Sequence, residues 1–214
     1  MPPLYEVPAL YALCVIFLFV IFRSKRRLGR LRRLKALNGK QKKAGKYILN
    51  FTVRLGNPAR TMLLPFAVML VAAGIYPSLG EQRLDIAAAA MIFPLMVIIQ
   101  PLVEEIALRA MLFGFFVTKA DEARQKPGRD NAAYLAVFLA GFLIQNMIFM
   151  LLHFRINLPT FISGAINSAF FLDGFGKDGE RNVLPAWAAH SSHNLLVWLG
   201  QIGIMTTGWV WAVI

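Results

Sequence analysis

Ala132 to Leu152 is an unbroken run of 21 residues with no Asp, Glu, Lys or Arg. A bilayer core takes roughly 20 residues of helix to cross, so this segment alone reads as a membrane span. Further apolar runs cover Val7–Phe22, Met62–Tyr76, Leu84–Leu102, Met111–Val117, Leu158–Leu172, Val183–Leu199 and Ile202–Ile214. Backbone polar groups inside lipid must be satisfied within the chain, which leaves helices or closed barrels. Alternating barrel-type strands are absent from the pattern. The expected fold class is therefore all-α: a multi-pass integral membrane bundle of about seven or eight apolar helices. Composition agrees, with 57% apolar and 16% charged residue types, against about half and a quarter in soluble domains. Both an ordinary soluble domain and a disordered chain are excluded. The single cysteine, Cys14, excludes an intrachain disulfide and a cysteine-based zinc cage.

The net charge of +12 has a local origin. Residues 23–46 hold twelve Lys/Arg and no acid, and the remainder holds eleven of each sign. A basic run directly after an apolar segment belongs on the cytoplasmic membrane face, against anionic lipid. Leu28, Leu31, Leu34 and Leu37 recur at a spacing that fits a surface-lying amphipathic helix, and a solvated basic loop fits as well. No aromatics interleave to stack on bases, so nucleic acid is not expected. No positive charge precedes Val7–Phe22, which reads as a retained anchor rather than a signal peptide. The chain divides into residues 1–83 (anchor, basic cytoplasmic segment and second span), a core at 84–199, and a C-terminal apolar helix at 200–214. Residues 119–131 read as a charged loop.

Ionisable groups within membrane segments cost a few kcal/mol each and mark function by default. Three clusters stand out. In Pro101–Arg109, Glu105 and Arg109 are four apart and pair on one helix face. Glu104 is rotated by about 100° from Glu105, so it does not share that cation and is free to face a cavity as a general base. In the second cluster, Phe149 sits one turn before His153 and shields one side of its imidazole, with Asn146 on the same face. In the third, His190 and Asn194 share a helix face, with His193 near it. A polar stripe of this kind can also simply hold helices together. All three histidines of the chain nevertheless fall in two of these clusters. An acid, imidazoles and a carboxamide can activate water and hold an oxyanion, or bind zinc through two histidines and a carboxylate. No HExxH, GxSxG or Gly-rich phosphate loop is present.

The order Glu-Glu-x-x-x-Arg, Phe-x-x-x-His, His-x-x-x-Asn on separate apolar helices resembles the CAAX protease and bacteriocin-processing family (CPBP, or ABI) of intramembrane endopeptidases. The resemblance covers about residues 84–199. It implies that Glu104 activates the attacking water with His153, and that His190 and Asn194 stabilise the oxyanion. It implies that Glu105 and Arg109 brace the site and that Phe149 packs beside the catalytic imidazole. His193 falls outside the motif and takes no catalytic role. The family leaves two options for cofactors: zinc, held by Glu104, His153 and His190, or none. Leu108 and Ala110 stand where many relatives carry Phe and Gly. The implied partner is a peptide or membrane-protein substrate, in preference to a prenylated protein, and the short loops point to a bacterial inner membrane. A catalytically silent scaffold of the same fold is the alternative. A proton-relaying transporter is a further rival, although inverted repeats are lacking. One geometric demand follows. Glu104 and His153 must meet at one depth, so a break near Pro101 or a strong tilt is expected, with side chains within about 8 Å.

Overall fold

A computed structural model describes residues 12, 16, 19–24, 51–75, 85–124, 131–153, 156–173 and 181–202. Most of the run Val7–Phe22, most of the basic segment 23–46 and residues 203–214 lie outside the described residues. Strand β1 is Phe51–Thr52. Helix α1 starts as a wide, π-wound turn over Ala59–Leu63 and continues through Leu64–Ile75. Helix α2 is continuous over Ile86–Arg124, α3 is Asn131–Leu152, and α4 is Leu158–Asp173. Strand β2 is Arg181–Asn182 and α5 is Leu184–Gln201.

The two apolar runs at Leu84–Leu102 and Met111–Val117 are thus one helix, which merges two of the eight runs read from the sequence. Among the described residues, α2 (39 residues) and α3 (22 residues) are long and apolar enough to cross a bilayer. Asp85 starts α2 by accepting from the amides of Ala87 (2.8 Å) and Ala88 (3.0 Å), which satisfies two otherwise orphaned donors. Neither Pro94 nor Pro101 ends the helix. Each sits at the start of a segment in which the winding changes: wide turns over Pro94–Ile99 and Glu105–Phe113 flank a short α-wound piece at Gln100–Glu104. A widened turn accommodates a proline without a break.

Of the two expected alternatives, a break near Pro101 or a strong tilt, the break does not occur, and the reason lies further along the chain. Residues 119–124 are helical, not loop, so the α2–α3 connection falls at 125–130. The second half of α2 and the whole of α3 then form a hairpin with arms of nearly equal length. Measured from the connection, Glu104 and His153 lie at similar distances along the two arms. Phe113 of α2 packs on Phe138 (5.6 Å between centroids) and Phe142 (6.2 Å) of α3. Gly141 is required at this crossing, because a Cβ there would sit 2.2 Å from Phe116 Cβ.

Helix α3 is apolar outside and polar inside. Leu135, Leu139, Leu143, Met147 and Leu151 are exposed at every fourth position, while Gln145 and Asn146 are fully buried. A soluble helix has the opposite arrangement. The main apolar cluster joins Ile106, Ala110, Phe113 and Val117 of α2 to Phe171 of α4, Ala186 of α5, and Ile21 and Phe51 from the N-terminal part. Phe51 also meets Phe22 edge to face. The two strands pair in parallel, Phe51 with Arg181 and Thr52 with Asn182, a link that the apolar pattern does not reveal.

Candidate functional site

The three motifs converge between α2, α5 and the end of α3. Glu104 Oε2 lies 3.8 Å from His153 Nε2 and 3.8 Å from His190 Nε2. The separation is well inside the 8 Å that direct cooperation demands. Gln100, one turn earlier, donates to Glu104 Oε1 at 2.9 Å. That bond occupies one carboxylate oxygen and leaves Oε2, which is buried and has no hydrogen-bond partner, facing both imidazoles.

The outer nitrogens of the two histidines are fixed by their partners. His153 Nδ1 is 2.8 Å from the Phe149 carbonyl. A carbonyl only accepts, so Nδ1 carries the proton and the neutral ring presents a lone pair at Nε2. His190 Nδ1 is 2.9 Å from Glu105 Oε1, which orients that ring in the same sense. Three acceptor atoms within 4.8 Å of one another therefore face one point. Such a point suits a donor: a water molecule with its two protons, or a cation. Two imidazoles and a carboxylate are a three-ligand zinc set, whose bonds would be about 2.0–2.2 Å. With the orphaned Oε2 among the donors, the residues fit that metal. His153 is the most open member at 28% exposure, against 13% for Glu104 and 1% for His190.

Beneath this group lies a fully buried ion pair. Arg109 Nη1 is 3.3 Å from Glu105 Oε1, and both side chains are inaccessible. Arg109 Nη2 donates to the Gly164 carbonyl at 3.2 Å, and its guanidinium stacks 4.5 Å from the centre of the Phe149 ring. Phe149 in turn touches His153 (4.2 Å between centroids) and His190 (5.5 Å). The ring thus contacts the buried cation and both imidazoles.

Asn194 is placed differently from its three companions. Its Nδ2 donates to the Met96 carbonyl of α2 at 2.8 Å. Asn146 does not join the histidines either: its Nδ2 bonds the Phe142 carbonyl, and its Oδ1 would lie 2.3 Å from a Cβ at position 164. A glycine is needed there to let α3 and α4 approach. His193 is outside the converging group.

Sequence reading missed Gln100 and the contribution of α4. Asn167 Nδ2 reaches Glu105 Oε1 at 3.4 Å. Ser168 bonds both the Gly164 carbonyl and Gln145. The available signal was Ser163, Gly164, Asn167 and Ser168, a small and polar stripe at helical spacing in an otherwise apolar segment.

No curated protein and no solved structure matches the chain. The family model described as "Type II CAAX prenyl endopeptidase Rce1-like" matches residues 86–196, just over half the chain and the whole of the region that carries the three motifs. On that match, and with its apolar helices, the chain belongs to the Rce1-like, CPBP-type family of intramembrane CAAX-type endopeptidases.

Proposed function

We propose that the chain hydrolyses a peptide bond in a membrane-associated peptide or protein, using a water activated by Glu104 and His153. The observation that carries this reading is the convergence of three acceptors on one partly open point, with Glu104 Oε2 otherwise unpartnered. A water held there donates toward Glu104 Oε2 and an imidazole and aims its lone pair outward. On attack, the water oxygen bonds the scissile carbonyl carbon, its proton passes to Glu104, and the carbonyl oxygen becomes an oxyanion. If His190 takes a proton from solvent before attack, it stops being an acceptor, its Nε2–H meets that oxyanion while Glu105 holds its Nδ1–H, and Glu104 and His153 hold the water. One Asn194 Nδ2 hydrogen is spent on Met96, and the second is left for the same oxyanion. Collapse breaks the C–N bond, and the proton on Glu104 leaves with the amine. If zinc is resident, Glu104, His153 and His190 hold it, and it supplies a bound water of lowered pKa.

A groove lies on the neighbouring face of α5, lined by Phe66, Val97, Ile98, Trp187 and Leu195, with a volume of about 270 Å³. It is apolar enough for a hydrophobic portion of the substrate. The scaffold alternative needs no unpartnered acid between two imidazoles.

Glu104→Gln is the decisive substitution. It keeps shape and removes the base, so protein termini generated in native membranes should fall by about 10²-fold or more at equal expression. Mass spectrometry of terminal peptides reads this without a substrate guess. Indistinguishable terminal peptides from the two chains would favour the scaffold.

A further inference from the structure

Around the first wide turn of α2, the Met96 carbonyl has no N–H of its own helix to accept at either the fourth or the fifth position. The Gln100 amide bonds the Leu95 carbonyl, five residues back. In an α-helix that amide would have served Met96. The next candidate in the widened register is residue 101, and Pro101 has no N–H. Met96 is therefore orphaned by the combination of a wide turn and a proline. An unpaired buried carbonyl costs about 1–3 kcal/mol. The Asn194 amide fills the gap at 2.8 Å, and the accepting carbonyl fixes which end of the amide points there.

The wide turn has a geometric consequence. Helix α5 contacts α2 at Ala89, through Trp198 Nε1 (3.0 Å), at Met96, through Asn194, and at Ile98, through Trp187 Nε1 (2.9 Å). It contacts Glu105 through His190. Ala89 and Glu105 are sixteen residues apart, which is about 160° round an ideal α-helix. They would then face nearly opposite ways, and α5 could not touch both. One residue inserted by a wide turn removes about 100° of that. The register of the turn thus decides whether the Glu104–Glu105 pair faces His190.

We propose that Asn194, besides the hydrogen it leaves for the oxyanion, has a positioning role: its amide replaces the N–H that Pro101 lacks, and so locks the wide turn that places Glu104 and Glu105 against α5. This deepens the hydrolase reading and rests on it for its effect on turnover. The lock itself is tested without any substrate.

The experiment is a double-substitution cycle on the full chain in detergent, read by thermal unfolding. Pro101→Ala restores an N–H five residues after Met96. In that background the drop in midpoint caused by Asn194→Ala should shrink to about half or less of its value in the native chain. An undiminished drop would overturn the proposal. Should Asn194→Ala alone fail to fold, recovery of folding by Pro101→Ala counts for the lock, and failure of the double variant while Pro101→Ala folds counts against it. A second measurement labels methionine carbonyls with carbon-13. The Met96 infrared band, assigned by its loss in Met96→Leu, should move to higher frequency in Asn194→Ala. An unmoved band refutes the lock. A chain that passes both tests yet yields no new termini would retain the lock and lose the hydrolase reading.

Discussion

Adjacent glutamates have different tasks because a helix turns by about 100° per residue. Glu105 meets Arg109, His190 and Asn167 in full burial. Glu104 meets a neutral amide and two imidazoles near an opening. Their substitutions should separate accordingly. Glu104→Gln removes no counterion from a buried cation and should leave the unfolding midpoint near that of the native chain. Glu105→Gln strips Arg109 of its carboxylate, and an uncompensated buried charge costs about 3–5 kcal/mol. The expected outcome is a poorly folded protein, seen as a lowered thermal midpoint and loss of the monodisperse peak in size-exclusion chromatography. Equal stability of the two variants would contradict this division of labour. The pairing of Glu105 with Arg109 was legible from their spacing. The partner of His190 was not, since Glu105 reaches it across helices, whereas Gln100, four residues before Glu104 on the same helix, had the spacing to be found and was missed.

At the scale of elements, the α2–α3 hairpin brings the first two motifs together, and its turn is set by where α2 stops. Charges at 119–124 looked like a loop, yet Lys119 and Glu122 pair within the helix at 2.9 Å and Arg124 lies over the Tyr134 ring of α3. Such charges suit a helix end that leaves the apolar region. Another inter-element tie joins Arg60, in the first turn of α1, to Asp173 at the end of α4, through both carboxylate oxygens. The Arg60 hydrogen bond, and then its charge, hold the Asp173 carboxyl below its ordinary value. This tie therefore contributes fully above the unfolded value of about 3.9 and is lost as pH falls through the lower folded value. Arg60→Ala should lower the midpoint slightly at neutral pH, with the difference from the native chain vanishing below that window. Midpoints measured across an acid series check it, and a difference that grows on acidification would refute it.

For the whole molecule, the N-terminal part is anchored in the core of the motif-bearing region. Phe51 is 1% exposed and packs in one cluster with Ile21, Ile106, Ala110 and Phe113. Both flanks of the basic segment thus meet at the cluster that supports Glu105 and Arg109 from the side. Parallel pairing with β2 fixes Phe51 there, reinforced by the Val183 amide on the Thr52 carbonyl (2.9 Å) and by mutual bonds between Arg54 and Asn182. Phe51→Ala empties a fully packed site and should cost about 3 kcal/mol or more. Urea or thermal unfolding of the full chain measures this. A loss below about 1 kcal/mol would show that residues 51–52 are peripheral to the fold.

Sequence alone determined the class of solvent, the helical secondary structure and the ordered trio of motifs, because each follows from local composition or from spacing within one helix. A charge-free run of bilayer length admits little else, and i, i+4 neighbours meet wherever a helix forms. Only tertiary structure decided which helices are continuous, where α2 turns into α3, and that Asn194 meets a carbonyl left bare by Pro101. Those outcomes depend on the winding of one helix against another. A single extra residue in a turn rotates everything beyond it by about 100°, and no local pattern of apolar residues records that rotation.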